Sequence, residues 1–95
     1  MNDTSKLIGE NGSTYFDSTA DTEVFAYMVI VQEDTVINTL KEKNVQSDTA
    51  VDVTGSSDQN VSGKTLKQGA ILTPEREFFS DISLTSGSVI LYNYK

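Results

Sequence analysis

Neither cysteine nor histidine occurs anywhere in the 95-residue chain. Their absence excludes disulfide frameworks, thiol catalysis, thiolate or imidazole metal sites, and every Ser-His or Cys-His dyad. Basic residues are scarce as well: Lys and Arg total 7 against 14 Asp and Glu, giving a net charge of -7. A chain of that sign gains nothing from releasing counterions on a polyanion, so nucleic acid is not an expected partner. Long apolar runs are also missing. The longest, Val24 to Val31, falls far short of the ~20 residues that a helix needs to cross a membrane. The opening Met1-Asn2-Asp3-Thr4-Ser5-Lys6 lacks an apolar core or an Arg-rich amphipathic pattern, so no signal or transit peptide is expected there. At this length the chain has room for one hydrophobic core and no second.

What is present divides into two stretches. Residues 1 to 23 hold five acids (Asp3, Glu10, Asp17, Asp21, Glu23) and one base, Lys6, a net of -4; residues 24 to 95 hold nine acids and six bases, a net of -3. The first stretch is rich in Ser, Thr, Asn and Gly. Its apolar residues come as two isolated pairs, Leu7-Ile8 and Tyr15-Phe16, without helical or strand periodicity. It reads as an extended acidic arm, with 24 to 95 as a single all-β domain.

From residue 24 the pattern is that of short strands. Val24 to Val31 is an unbroken run of β-branched and aromatic residues, closed by Gln32-Glu33-Asp34, and reads as a strand buried on both faces. In Thr35 to Leu40 the spacing of Val36, Ile37 and Leu40 also fits one or two amphipathic helical turns, but the β-branched content favours a strand. Ala50 to Thr54 alternates with period 2, Gly55 to Asn60 is a polar loop, and short elements follow at Val61, Thr65-Leu66 and Ala70 to Leu72. Pro74 suits a turn. Glu77 to Leu84, Thr85-Ser86-Gly87-Ser88 and Val89 to Tyr94 read as strand, turn and strand, which predicts a terminal β-hairpin. The whole predicts an all-β fold, a small sandwich or barrel with an extended N-terminal arm.

The runs Val24 to Val31 and Val89 to Tyr92 are apolar on both sides of the pleat. A small sandwich hides one face of each strand, so a neighbouring subunit is expected to cover the other, and the chain is expected to be oligomeric. Phe25, Tyr27, Val29, Ile90, Tyr92 and Tyr94 are the expected interface residues. A closed assembly would also remove sheet edges that only Lys41, Lys43, Lys64 and Lys67 guard.

The candidate chemistry is thin. Fourteen carboxylates could supply a glycosidase-like pair, but no spacing singles one out, and solvated surface acids are the plainer reading. The eleven serines and eleven threonines have no His base and no Ser-x-x-Lys in a catalytic setting. Asp58-Gln59-Asn60-Val61-Ser62-Gly63 imitates the front of a calcium loop. The ninth and twelfth positions, however, are Leu66 and Gly69, so a turn is the better account and no metal or cofactor is expected. The aromatic residues could stack on a sugar but fit core and interface roles better.

Taken together, three features resemble small β proteins encoded among the structural genes of tailed bacteriophages. They are the aromatic apolar strand running into Glu33-Asp34-Thr35-Val36, the spacing of Gly63, Leu66, Gly69 and Ile71, and the closing series Phe79, Ile82, Leu84, Ser86, Gly87, Val89, Ile90 and Tyr92. The likeness covers about seventy residues, with a gap at Lys43 to Asn60, and its motifs are structural rather than catalytic. It implies a non-enzymatic virion component on the capsid exterior: a decoration, cement or head-fibre subunit, with a homotrimer favoured. The partners would be the major capsid protein or another virion protein. The acidic arm would dock there through Leu7, Ile8, Tyr15 and Phe16. A glycan-binding adhesin module of a head or tail fibre is the alternative.

Overall fold

A computed structural model describes residues 12–47 and 49–93. Among them there is no helix; the chain forms one antiparallel sheet of eight strands. These are β1 (Ser13–Phe16), β2 (Thr22–Val31), β3 (Thr35–Lys43), β4 (Val51–Asp52), β5 (Thr65–Leu66), β6 (Ile71–Leu72), β7 (Phe78–Ser86) and β8 (Val89–Asn93). Their order is β1-β8-β2-β7-β3-β4, with β5 on the free side of β3 and β6 on that of β2. The expected all-β class holds, and Thr35 to Leu40 is a strand.

Among the described residues the sheet begins at Ser13, ahead of Val24. Within the stretch expected as an arm, β1 pairs along its length with β8, and Thr22 and Glu23 open β2. Residues 1 to 11, Leu7 and Ile8 among them, lie outside the described residues, as does Tyr94.

The predicted terminal hairpin does not form. β7 and β8 are consecutive but unpaired, because β2 lies between them; β2 and β3 are likewise consecutive and separated by β7. The two connections therefore cross as interlocked corners. The Gln32 amide donates to the Ser88 carbonyl at 3.0 Å. The Thr35 hydroxyl lies 2.7 Å from the Glu33 carbonyl and accepts from the Ser88 amide at 3.1 Å. The Ser88 hydroxyl donates to Glu33 Oε2 at 2.6 Å. Gly87, with φ +93, passes so close that a Cβ there would meet the Thr35 hydroxyl and stand 2.6 Å from the Asp34 carbonyl oxygen. The turn chemistry of Thr85 to Ser88 was legible; the corner it serves is set by strands distant in sequence.

Three register shifts decide which side chains face inward. In β2 the inward positions run through Ala26 and then, beyond a shift between Ala26 and Met28, through Val29 and Val31. In β3 they change from Thr35 and Ile37 to Leu40 and Glu42 across a shift between Ile37 and Thr39. In β7, Phe79 and then Ile82 and Leu84 face the core, the change falling where Lys41 and Glu42 pair with Asp81 and Phe79. Each extra residue turns the pleat over and bends the strand. The bends let Phe16 on one edge share a single cluster with Leu40, Val53, Ile82 and Leu91. Ala26 lies between two register shifts and pairs with both Phe79 and Asn93.

Candidate assembly surface

Cross-strand partners share a face, so the register assembles the outer surface row by row. Tyr15 stands opposite Ile90, Ile90 opposite Ile30, and Ile30 opposite Ile71. The result is a straight row of four large uncharged side chains across β1, β8, β2 and β6. Its ends are open, Tyr15 at 60 % and Ile71 at 58 % exposure, and its middle is half-buried. A second row, Ser13, Tyr92 and Met28, runs beside it. Tyr27 meets Tyr92 edge-on at 6.4 Å between ring centres. The inward rows of the same strands carry Phe16, Val89 and Val31, and Leu91, Val29 and Leu72.

This register sorts the residues singled out from the sequence. Ile90, Tyr92 and Tyr27 lie on the outer face, and Tyr15 ends its main row. Val29 is not an interface residue: its exposure is 0 %, and it packs in the chain's own core beneath the row. Phe16 is not an anchor for another protein either. At 8 % exposure it belongs to that core, because β1 alternates faces and Tyr15 takes the outer one. Phe25 sits elsewhere, edge-on to Phe78 at 4.4 Å. Ile30 and Ile71 were missed as surface residues. The unbroken run around Ile30 hides its alternation, and β6 is too short to show one.

The half of the sheet around β7 is charged instead. Glu23, Asp81, Lys41 and Asp52 form one cross-strand row, with Lys41 between two aspartates. Facing acids at Glu23 and Asp81 are mildly unfavourable, which Lys41 offsets. The Ser80 hydroxyl donates to Asp81 Oδ1 at 2.9 Å. The Thr54 amide (2.9 Å) and hydroxyl (2.7 Å) both donate to Asp52 Oδ1. These bonds hold the Asp52 carboxyl below its usual range; slight burial opposes them and Lys41 assists. A groove of about 400 Å³ beside this row is lined by Glu23, Phe25, Lys43, Phe78, Ser80 and Asp81, among others.

One acid departs from the reading of solvated carboxylates. Glu42 has 0 % exposure, on an inward position of β3. Its Oε1 accepts the Glu75 and Arg76 amides at 3.1 and 3.0 Å, and Oε2 accepts the Gln59 side-chain amide at 3.0 Å. The Arg76 guanidinium stands 3.5 Å from Oε1. Gln59 also donates to the Thr73 carbonyl at 2.7 Å. The carboxylate thus ties two loops to β3, a structural task in which both its oxygens accept from groups within the chain. Because Gln59 is engaged there and Val61 lies in the core, the calcium-like segment from Asp58 to Gly63 is spent on loop packing. Asn60 and Gly63 take positive φ in it, as a turn requires. Among the described residues no group of three or more acids is placed to hold a metal ion.

No known protein family, curated protein or solved structure matches this chain.

Proposed function

We propose that this chain is a non-enzymatic structural subunit that assembles with copies of itself through the outer face of β1, β8, β2 and β6. The observation that carries the reading is the uncharged row Tyr15, Ile90, Ile30 and Ile71. On a molecule of net charge -7, it is a surface that another protein covers at little electrostatic cost. The setting we propose is the exterior of a phage capsid, where the sheet acts as one small sandwich or barrel unit. The acidic N-terminal stretch steers it onto a basic patch of the major capsid protein or another virion protein. This setting is supported by the sequence resemblance and by the charge of residues 1 to 23.

Light scattering and co-sedimentation with capsids test both parts. Replacing Ile71, the exposed end of the row, by Lys is expected to weaken self-association at least tenfold without lowering the melting temperature. Deleting residues 1 to 11, which spares β1, is expected to leave the oligomer intact and abolish co-sedimentation. A wild-type chain that stays monomeric at millimolar concentration refutes the assembly reading; full co-sedimentation without residues 1 to 11 refutes the docking role.

The groove beside Phe25 and Phe78 supports a second reading, an adhesin module that stacks a sugar on an aromatic ring beside Glu23, Asp81 and Ser80. Specific binding on a glycan array, lost in Phe25→Ala, would favour it over the first.

A further inference from the structure

The sheet has one unguarded edge among the described residues. β4 carries Asp52, β5 is bracketed by Lys64 and Lys67, and β6 is followed two residues later by Pro74; each is only two residues long. β1 is four residues long, Ser-Thr-Tyr-Phe, with no charge, no proline and no register shift against β8. Native edges are ordinarily blunted by one of those devices, because an open strand is a template for another strand.

Hydrogen-bond phase fixes which groups point outward. The Asn93 amide donates to the Gly12 carbonyl at 3.1 Å, so Gly12, and by alternation Thr14 and Phe16, spend their backbone groups on β8. The N–H and C=O of Ser13 and Tyr15 therefore face the open side. Two outward residues spaced by two are self-complementary: an antiparallel copy placed about a two-fold axis at Thr14 pairs Ser13 with the partner's Tyr15, and Tyr15 with the partner's Ser13. Four backbone hydrogen bonds result.

We infer that β1 is a homotypic joint, through which two copies merge their sheets edge to edge. The inference goes beyond the assembly reading above: the joint is an edge contact distinct from the outer face, which it lengthens and leaves uncovered. Local charge permits a second copy as occupant, since the strand sets no side-chain charge against its twin; the net -7 of each molecule opposes close approach and keeps the contact weak. Continuity favours it. Across the joint the row Ile71, Ile30, Ile90, Tyr15 runs on into the partner's Ser13, the partner's Tyr92 and the partner's Met28, making one uncharged strip over both molecules. A joint of this symmetry closes as a dimer, not as the trimer that the sequence resemblance implies. Four hydrogen bonds and two tyrosines, one from each copy, make a small contact, so self-association in the ~10 µM to 1 mM range is expected.

Amide hydrogen exchange of the full chain, followed by NMR from 10 µM to 1 mM, is the direct test, with sedimentation equilibrium on the same samples. The expected result is a dimer mass at high concentration, with the Ser13 and Tyr15 amides gaining at least tenfold protection as it forms. Tyr15→Lys, a change at an exposed side chain, is expected to weaken the dimer at least tenfold. Ser13→Pro, which removes an outward N–H at the first residue of β1, where proline is tolerated, is expected to do the same with the β1–β8 ladder amides still protected. A dimer in which the two amides gain no protection, a trimer mass, or assembly unchanged by both variants overturns the joint while sparing the broader assembly reading. A monomer throughout overturns both.

Discussion

Gly87 shows how much one missing side chain can decide. Its φ of +93 is strained for any L residue, and the space beside it is already taken by the Asp34 carbonyl and the Thr35 hydroxyl. Gly63 has a similar φ, +70, but nothing within 4 Å of where a Cβ would stand. The pair separates two effects that glycine usually combines. Gly63→Ala should cost about 1 kcal/mol, the conformational part alone. Gly87→Ala should cost roughly 3 kcal/mol, because the corner must also open. Urea denaturation of the two variants checks this, and equal losses would show that contact with Thr35 contributes nothing. The need for a turn at Thr85 to Ser88 could be read from the sequence. The steric demand on Gly87 could not, since the atoms it would strike are more than fifty positions away.

At the scale of elements, the strands were largely legible and their partners were not. The β-branched run of Thr35 to Leu40 and the alternation near Val51 announce strands by local chemistry. The terminal hairpin failed because both edges of β7 are claimed by longer partners, β2 and β3, and nothing in Phe78 to Tyr92 records that competition. For the outer face, Ile90 and Tyr92 were found by composition. Val29 and Phe16 were misplaced because an unbroken apolar run and an isolated Tyr-Phe pair do not say which residue points inward; bulges and register do. Glu42 illustrates the same limit, as a carboxylate inside Lys41-Glu42-Lys43 reads as a wet surface charge. Its role in joining two loops to β3 predicts a graded loss. Glu42→Ala orphans the Glu75, Arg76 and Gln59 donors and should cost about 3–5 kcal/mol. Glu42→Gln keeps a carbonyl acceptor and should cost roughly 1–3 kcal/mol. Arg76→Ala should cost under about 1 kcal/mol, its guanidinium being partly exposed and 3.5 Å away. Chemical denaturation that ranks Arg76→Ala above Glu42→Ala would mean that the ion pair, not the backbone amides, holds the loops.

Across the whole molecule, pairing is overwhelmingly long-range: β1 with β8, β2 with β7 and β8, β3 with β7. Loops must close before any of these contacts forms, so refolding should fall in the ~1 ms to 1 s range of non-local β proteins. Stopped-flow fluorescence of the tyrosines measures it, and complete refolding within ~100 µs would contradict the topology. The same arrangement bears on how the chain is made. β8 is the wedge between β1 and β2, yet it is translated after every other strand. Until it clears the ribosome, β1 lacks its pairing strand and β2 is open on one side, so a message cut short before Val89 leaves the greasy flank between them uncovered. Of the described strands the keystone is thus the last to arrive, and until it does a nascent copy depends on chaperones or on being left alone.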